Sequence, residues 1–185
     1  MIFQSIENCK NNTPKIKFTT MSMDDIGEMN PYSEGFFDLI YSVYAFYYTK
    51  NSSKLLDNLK KILKPNGRIS IIGPYSDNNK NWWDFLDQFM TVPDSLKKYA
   101  NTEFMQGVNE YAKSNFSEVK LDEFVNQITF QTIEIFEQYW KSNIYYDPKH
   151  DDDFKLFAKK HFDQHNNFQY SKKAQIITMR NPISN

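Results

Sequence analysis

The stretch from Phe37 to Pro74 constrains this chain more than any other. It begins with a dense apolar, β-branched and aromatic run, FDLIYSVYAFYY, of the kind found where a strand is covered on both faces. Asn51 or Ser52 can then cap a helix, because a short side-chain oxygen accepts an otherwise unpaired backbone N–H. Leu55, Leu56, Leu59, Ile62 and Leu63 form one helical stripe, and Lys60, Lys61 and Lys64 sit near the end where cations suit the helix dipole. Pro65 stops the helix, and Asn66-Gly67 is expected to form a tight turn tolerant of left-handed backbone. Arg68–Gly73, RISIIG, then reads as a buried strand. Strand, helix, tight stop and strand make a βαβ unit, whose right-handed crossover implies two parallel strands.

The flanks extend this alternation. Met1–Lys10 carries apolar residues at helical spacing, and Lys15–Met21, KIKFTTM, alternates as a strand. After Pro74, residues 78–90, 93–116, 132–142 and 151–165 read as helices. SEVKLDEFVNQITF (117–130) and AQIITMR (174–180) read as strands. Mixed helices and strands throughout favour an α/β protein built as a three-layer α/β/α sandwich, with residues 1–185 as a single domain. A formal charge of −1 gives no general attraction for phosphate backbones, so nucleic acid is not expected as a partner. Lys159, Lys160, Lys172 and Lys173 are too few and too mixed with acids to form such a groove. No apolar run of about 18 residues predicts a membrane span, and one cysteine, Cys9, fits a reducing, cytoplasmic setting.

The Phe37–Pro74 pattern resembles the class I S-adenosylmethionine-dependent methyltransferases of small-molecule type. In that family an FDLI-like strand, a helix ending in an LKPGG-like turn and a strand ending near Gly or Pro follow one another. The counterparts here are FDLIYSVYAFYY, LLDNLKKILKPNG and RISIIGP. IKFTTMSMDDIGEM resembles the family's third strand and its acidic turn, and the two C-terminal strands resemble the closing antiparallel pair of the Rossmann-like sheet. The resemblance implies a strand order of 3-2-1-4-5-7-6. It also implies an expected departure. The chain has 5 glycines, none spaced as GxGxG, so it looks N-terminally truncated, beginning about 60 residues late for a typical single α/β domain. An upstream start codon would explain this equally well. Strand edges left without partners could pair with each other or with another polypeptide.

The resemblance implies S-adenosylmethionine as cofactor, with Asp24, Asp25 and Ile26 beside the adenine and Ser42, Val43 and Tyr44 where the strand ends against the donor. Two solvated acids in a polar loop would look the same in sequence. Tyr47, Tyr48, Tyr75 and Trp82 would line the acceptor, although aromatic residues fill cores as readily as pockets. Trp83 could join Trp82 in a substrate lid, and Tyr139, Trp140, Tyr145 and Tyr146 make a second aromatic cluster. No catalytic residue is nominated, since methyl transfer rests on orientation and exclusion of water. His161 and His165 share a helical face but no third ligand is evident, and no metal is expected. His150–Phe154, HDDDF, reads as an acidic helix start. The implied function is methyl transfer to a small molecule. The alternative is a non-catalytic remnant, or a subunit completed by a protein partner or a second copy.

Overall fold

A computed structural model describes residues 17–26, 32–94, 97 and 103–183. Four strands form one sheet in the order β1-β2-β4-β3: β1 (Phe37–Val43), β2 (Leu63–Pro74), β3 (Phe116–Phe130) and β4 (Phe168–Pro182). β1 and β2 are parallel, with Leu39 opposite Arg68 and Val43 opposite Ile72. β4 runs antiparallel to both β2 and β3. This is the 4-5-7-6 half of the order implied by the resemblance. The helix between the parallel strands, α1 (Ser52–Ile62), is capped by the Asn51 side chain, which accepts from the Lys54 N–H at 2.9 Å. The parallel strand pair and the capped helix expected of the central βαβ unit are both present.

The other α-helices among the described residues are α2 (Lys80–Leu86), α3 (Glu103–Asn115), α4 (Ile133–Ser142) and α5 (Asp151–Gln164). They divide between two cores. Leu55, Leu56, Leu59 and Ile62 of α1, with Met105, Val108 and Ala112 of α3, bury Ile69, Ile71, Ile177 and Met179 of the sheet. α2, α4 and α5 gather their rings around Phe130, Phe168 and Tyr170 at the far end of the β3–β4 ladder. In a strand, side chains alternate between faces. Along β4 the buried set runs Phe168, Tyr170, Ala174 and then Gln175, Ile177, Met179, so burial changes face at 174–175. The β3–β4 register carries no shift there. The two cores therefore sit on opposite faces of one sheet, which gives the three layers.

The expectation that β1 is covered on both faces requires correction: none of its residues is buried, and Leu39, Tyr41 and Val43 are exposed, because nothing described packs on that side of this edge strand. Two further expectations also fail. Residues 17–21, the described part of the strand expected over Lys15–Met21, form no strand. Alternation alone does not make a strand; the backbone groups need a partner, and β1 pairs only with β2 among the described residues. The second concerns Lys64-Pro65-Asn66-Gly67, which is no left-handed tight turn. It forms the first part of β2, where the register steps from Phe37–Leu63 to Leu39–Arg68. Gly67 is buried, and a Cβ there would lie 2.9 Å from the Phe37 carbonyl oxygen. Glycine serves here for close approach and not for an unusual φ. The helix expected over Met1–Lys10 lies outside the described residues.

Candidate functional site

In open α/β sheets the carboxyl ends of parallel strands form the natural binding crevice. Here those ends are Val43-Tyr44 and Pro74-Tyr75. Tyr44 leaves β1 with φ 49°, a left-handed backbone costly for a bulky residue, and its N–H donates to the Ile72 carbonyl at 2.8 Å. That turn delivers the short 3-10 segment Phe46–Tyr48. Phe46 is buried in the α1/α3 core, Tyr47 is half-buried, and Tyr48 is exposed with its ring centroid 4.7 Å from that of Tyr47. The Ser42 hydroxyl, one turn of the pleat earlier, is buried with no hydrogen-bond partner among the described residues.

Four phenols converge at this end. Burial pushes the Tyr47 hydroxyl up to about 12, reinforced by a hydrogen bond and charge repulsion from Tyr48 and by repulsion from Tyr44 and Tyr145. Burial likewise raises Tyr44, and burial with Tyr48 raises Tyr145. All three therefore stay protonated near neutrality and can donate hydrogen bonds without acting as bases. An ordinary phenol titrates near 10. The native Tyr47 keeps its proton while the unfolded chain loses it, so its contribution to stability is intact below pH 10 and is lost as pH rises through about 12. Urea midpoints measured at pH 9 and pH 11 should accordingly fall less in Tyr47→Phe than in the wild type.

The acidic turn is tied to this region. Asp24 Oδ1 accepts from Thr49 Oγ1 at 2.6 Å and from the Lys50 N–H at 3.0 Å. These hydrogen bonds, Thr49 first, hold its carboxyl below the usual range. Sequence reasoning missed Thr49, and nothing in the motif marks it. Ile26 packs against the α1/α3 core, and its carbonyl accepts from Asn58 Nδ2 at 2.8 Å. The turn is thus fastened through Asp24 to the segment that follows Tyr48 and through Ile26 to α1. Asp24 also borders a cavity of about 180 Å³ with Lys50, Asn51, Lys54 and Leu55.

After β2, the loop 75–79 is sewn to β4. Tyr75 N–H donates to Lys173 O at 3.2 Å, Asn79 N–H to Ser171 O at 2.8 Å, and Lys173 N–H to Asn78 Oδ1 at 2.7 Å. This positions α2, whose Trp82 is only 1% exposed and sits among Phe85, Phe136, Tyr139, Trp140 and Tyr170. Trp82 is therefore a core residue and forms no lid. Trp83 turns toward Tyr145, ring centroids 5.4 Å apart. Both indoles line a cavity of about 320 Å³ together with Asn79, Tyr139, Ser142, Asn143, Ile144, Tyr145 and Lys172. Of these, Ser142, Asn143, Ile144 and Lys172 carried no signal in the sequence. Because Tyr145 lies close to both Trp83 and Tyr48, the cavity adjoins the phenol cluster.

His161 and His165 stack with centroids 4.6 Å apart, and His161 Nε2 lies 3.0 Å from the Asn167 carbonyl. Among the described residues no group of three His, Cys, Asp or Glu could hold a metal ion, and no helix is long and apolar enough to cross a membrane.

Residues 2–71 match the family model described as "Methyltransferase domain". No curated protein matches the sequence. Among solved structures, a protein of Bacillus halodurans C-125 assigned as a methyltransferase is 12% identical with a TM-score of 0.56, over 97% of this chain and 77% of that one. A phosphoethanolamine N-methyltransferase of Haemonchus contortus is 14% identical with a TM-score of 0.52, over 97% of this chain and 41% of that one. A structure concerned with conversion of a disulfide bond into a thioacetal group during echinomycin biosynthesis is 11% identical with a TM-score of 0.53, over 97% and 62%. With its parallel pair, its interposed antiparallel strand and the matched segment, this chain has the fold of the class I S-adenosylmethionine-dependent methyltransferases.

Proposed function

We propose that the chain acts in S-adenosylmethionine-dependent methyl transfer to a small-molecule acceptor. The observation carrying this reading is the parallel β1–β2 pair whose carboxyl ends open onto a cluster of protonated phenols and an adjoining aromatic cavity. The Haemonchus enzyme was solved with phosphomonomethylethanolamine and S-adenosylhomocysteine, a small molecule and a spent methyl donor, which supports the same assignment of classes.

The residues present suit such a cofactor. Ser42 offers a buried hydroxyl that no described residue satisfies, and an unsatisfied buried group favours a polar ligand. Ser42, Val43 and Tyr44 would hold the donor at the strand end, with Asp25 and Ile26 beside its base and Asp24 bracing that turn through Thr49. When bound, S-adenosylmethionine supplies an electrophilic methyl on a sulfonium. Tyr47 and Tyr48 orient the acceptor by hydrogen bonding, Tyr75 closes the space against water, Trp82 backs the acceptor cavity from the core, and proximity carries much of the rate. Isothermal titration with S-adenosylhomocysteine tests this: saturable one-site binding is expected. Folded protein that gives no heat at millimolar ligand would contradict it.

One further observation favours completion by another polypeptide or a second copy. On β1, Leu39, Tyr41 and Val43 are 41%, 69% and 49% exposed, and the strand's outer edge has no partner among the described residues. An unpaired edge beside an apolar face invites strand addition. Analytical ultracentrifugation should then show a stable complex, and a strict monomer would exclude it.

A further inference from the structure

The second aromatic core satisfies its polar ends almost everywhere. Trp140 Nε1 donates to Asp151 Oδ1 at 2.9 Å, Tyr146 Oη donates to Asp151 Oδ2 at 3.1 Å, and the hydroxyls of Tyr139 and Tyr170 lie 2.7 Å apart. Trp82 and Trp83 depart from this rule. Their rings are 1% and 8% exposed, yet neither indole N–H has an acceptor among the described residues, nor has Asn79 Oδ1 a donor. All three residues line the same 320 Å³ cavity, a volume within the usual range for small-molecule sites.

An indole N–H only donates, and a buried donor without an acceptor is costly. Lys172, on the rim, is also a pure donor, and the lining contains no carboxylate. A half-turn of the Asn79 amide exchanges its acceptor for a donor without change of shape. The cavity is thus rich in donors and cationic, with aromatic walls from Trp82, Trp83, Tyr139 and Tyr145. The geometry points to a site for an oxyanion, carboxylate or phosphate, carried on a flat or apolar body. An ammonium group would be repelled by Lys172 and could not pair with either indole N–H. Where methyl transfer is concerned, the inference rests on the reading above: the anion would anchor the acceptor in this cavity and leave its far end toward Tyr48 and Tyr47.

Calorimetric titration of the full chain with phenylacetate, phenyl phosphate, 2-phenylethanol and phenethylamine tests this without any methyl donor. One or both anions should bind at least about tenfold more tightly than the alcohol and the amine, and whichever anion binds better identifies the acid group. Trp83→Phe, which keeps the ring and removes the donor, should weaken anion binding about tenfold, as should Lys172→Gln. Lys172 is exposed on β4, so its variant keeps the test valid even if the tryptophan variant does not fold. Equal or tighter binding of the alcohol or amine, unchanged anion affinity in the folded variants, or no binding of any probe would overturn the site. S-adenosylhomocysteine affinity should be unchanged in both variants. Absence of that affinity with anion binding retained would sink the methyl-transfer reading and leave this site standing.

Discussion

Phe136→Ala is expected to lower the stability of the fold by about 3–5 kcal/mol, the range for removing a large buried ring. Phe136 is fully buried on α4 and touches rings from every part of the second core. Its centroid lies 4.4 Å from Phe168, 5.0 Å from both Phe85 and Phe154, 5.1 Å from Phe130 and 5.8 Å from Trp82. These neighbours belong to β4, α2, α5, β3 and α2 respectively, so a cavity here loosens the whole layer at once. For a domain of this size the melting temperature should fall on the order of 10 °C. A thermal melt by circular dichroism reads this, and a shift of only a degree or two would show that the layer is not packed as described. The same substitution should also weaken the cavity site, because Trp82 rests on Phe136.

Gly67→Val should be nearly as damaging, about 3 kcal/mol, and by a different route. Even a bare Cβ at this position would come within 2.8 Å of the Leu63 side chain and 2.9 Å of the Phe37 carbonyl oxygen. The leucine end can move; the carbonyl belongs to β1 and cannot yield without disturbing the β1–β2 ladder. The damage should therefore fall on the strand pair that frames the proposed donor site, and S-adenosylhomocysteine binding should weaken along with stability. Gly107 on α3 provides the contrast. A Cβ there meets nothing within 4 Å, so Gly107→Ala should stabilise by up to about 1 kcal/mol through helix propensity. Urea denaturation of the two variants should move in opposite directions. A tolerated Gly67→Val would refute the close approach.

The contrast between these positions shows what the sequence could reveal. The apolar stripe of α1 and its Asn51 cap are local patterns, and they led directly to a helix with the expected ends. The apolar β1 and β2 runs, once joined by that helix, left only a parallel pairing. Pro65-Asn66-Gly67 was less informative, because the residue types that make a tight turn also make a bulge. Which of the two forms depends on the carbonyl of Phe37, thirty residues away. Phe18 alternates with Ile16 as a strand would, but it is 39% exposed in a segment without a partner strand. The change of buried face at Ala174–Gln175 is likewise invisible locally, since it depends on which helices cover each half of the ladder.

The candidate site divides in the same way. Tyr44, Tyr47 and Tyr48 were placed by their position at the end of a recognisable strand. Trp82 was placed near the acceptor as a lid, yet it lines the cavity from within the core. Thr49, which holds Asp24, and Lys172, which sets the charge of the cavity, meet their partners only through tertiary folding. Neither residue type in its sequence context marks a contact.

The central claim is that the carboxyl ends of β1 and β2 form the methyl-donor site. Amide and methyl chemical shifts recorded during titration with S-adenosylhomocysteine test it most directly. Saturable shifts are expected at Ile26, Ser42, Val43 and Tyr44, with the far-end residues of the β3–β4 ladder unmoved. Saturable shifts confined to another surface, or none in folded protein, would contradict it.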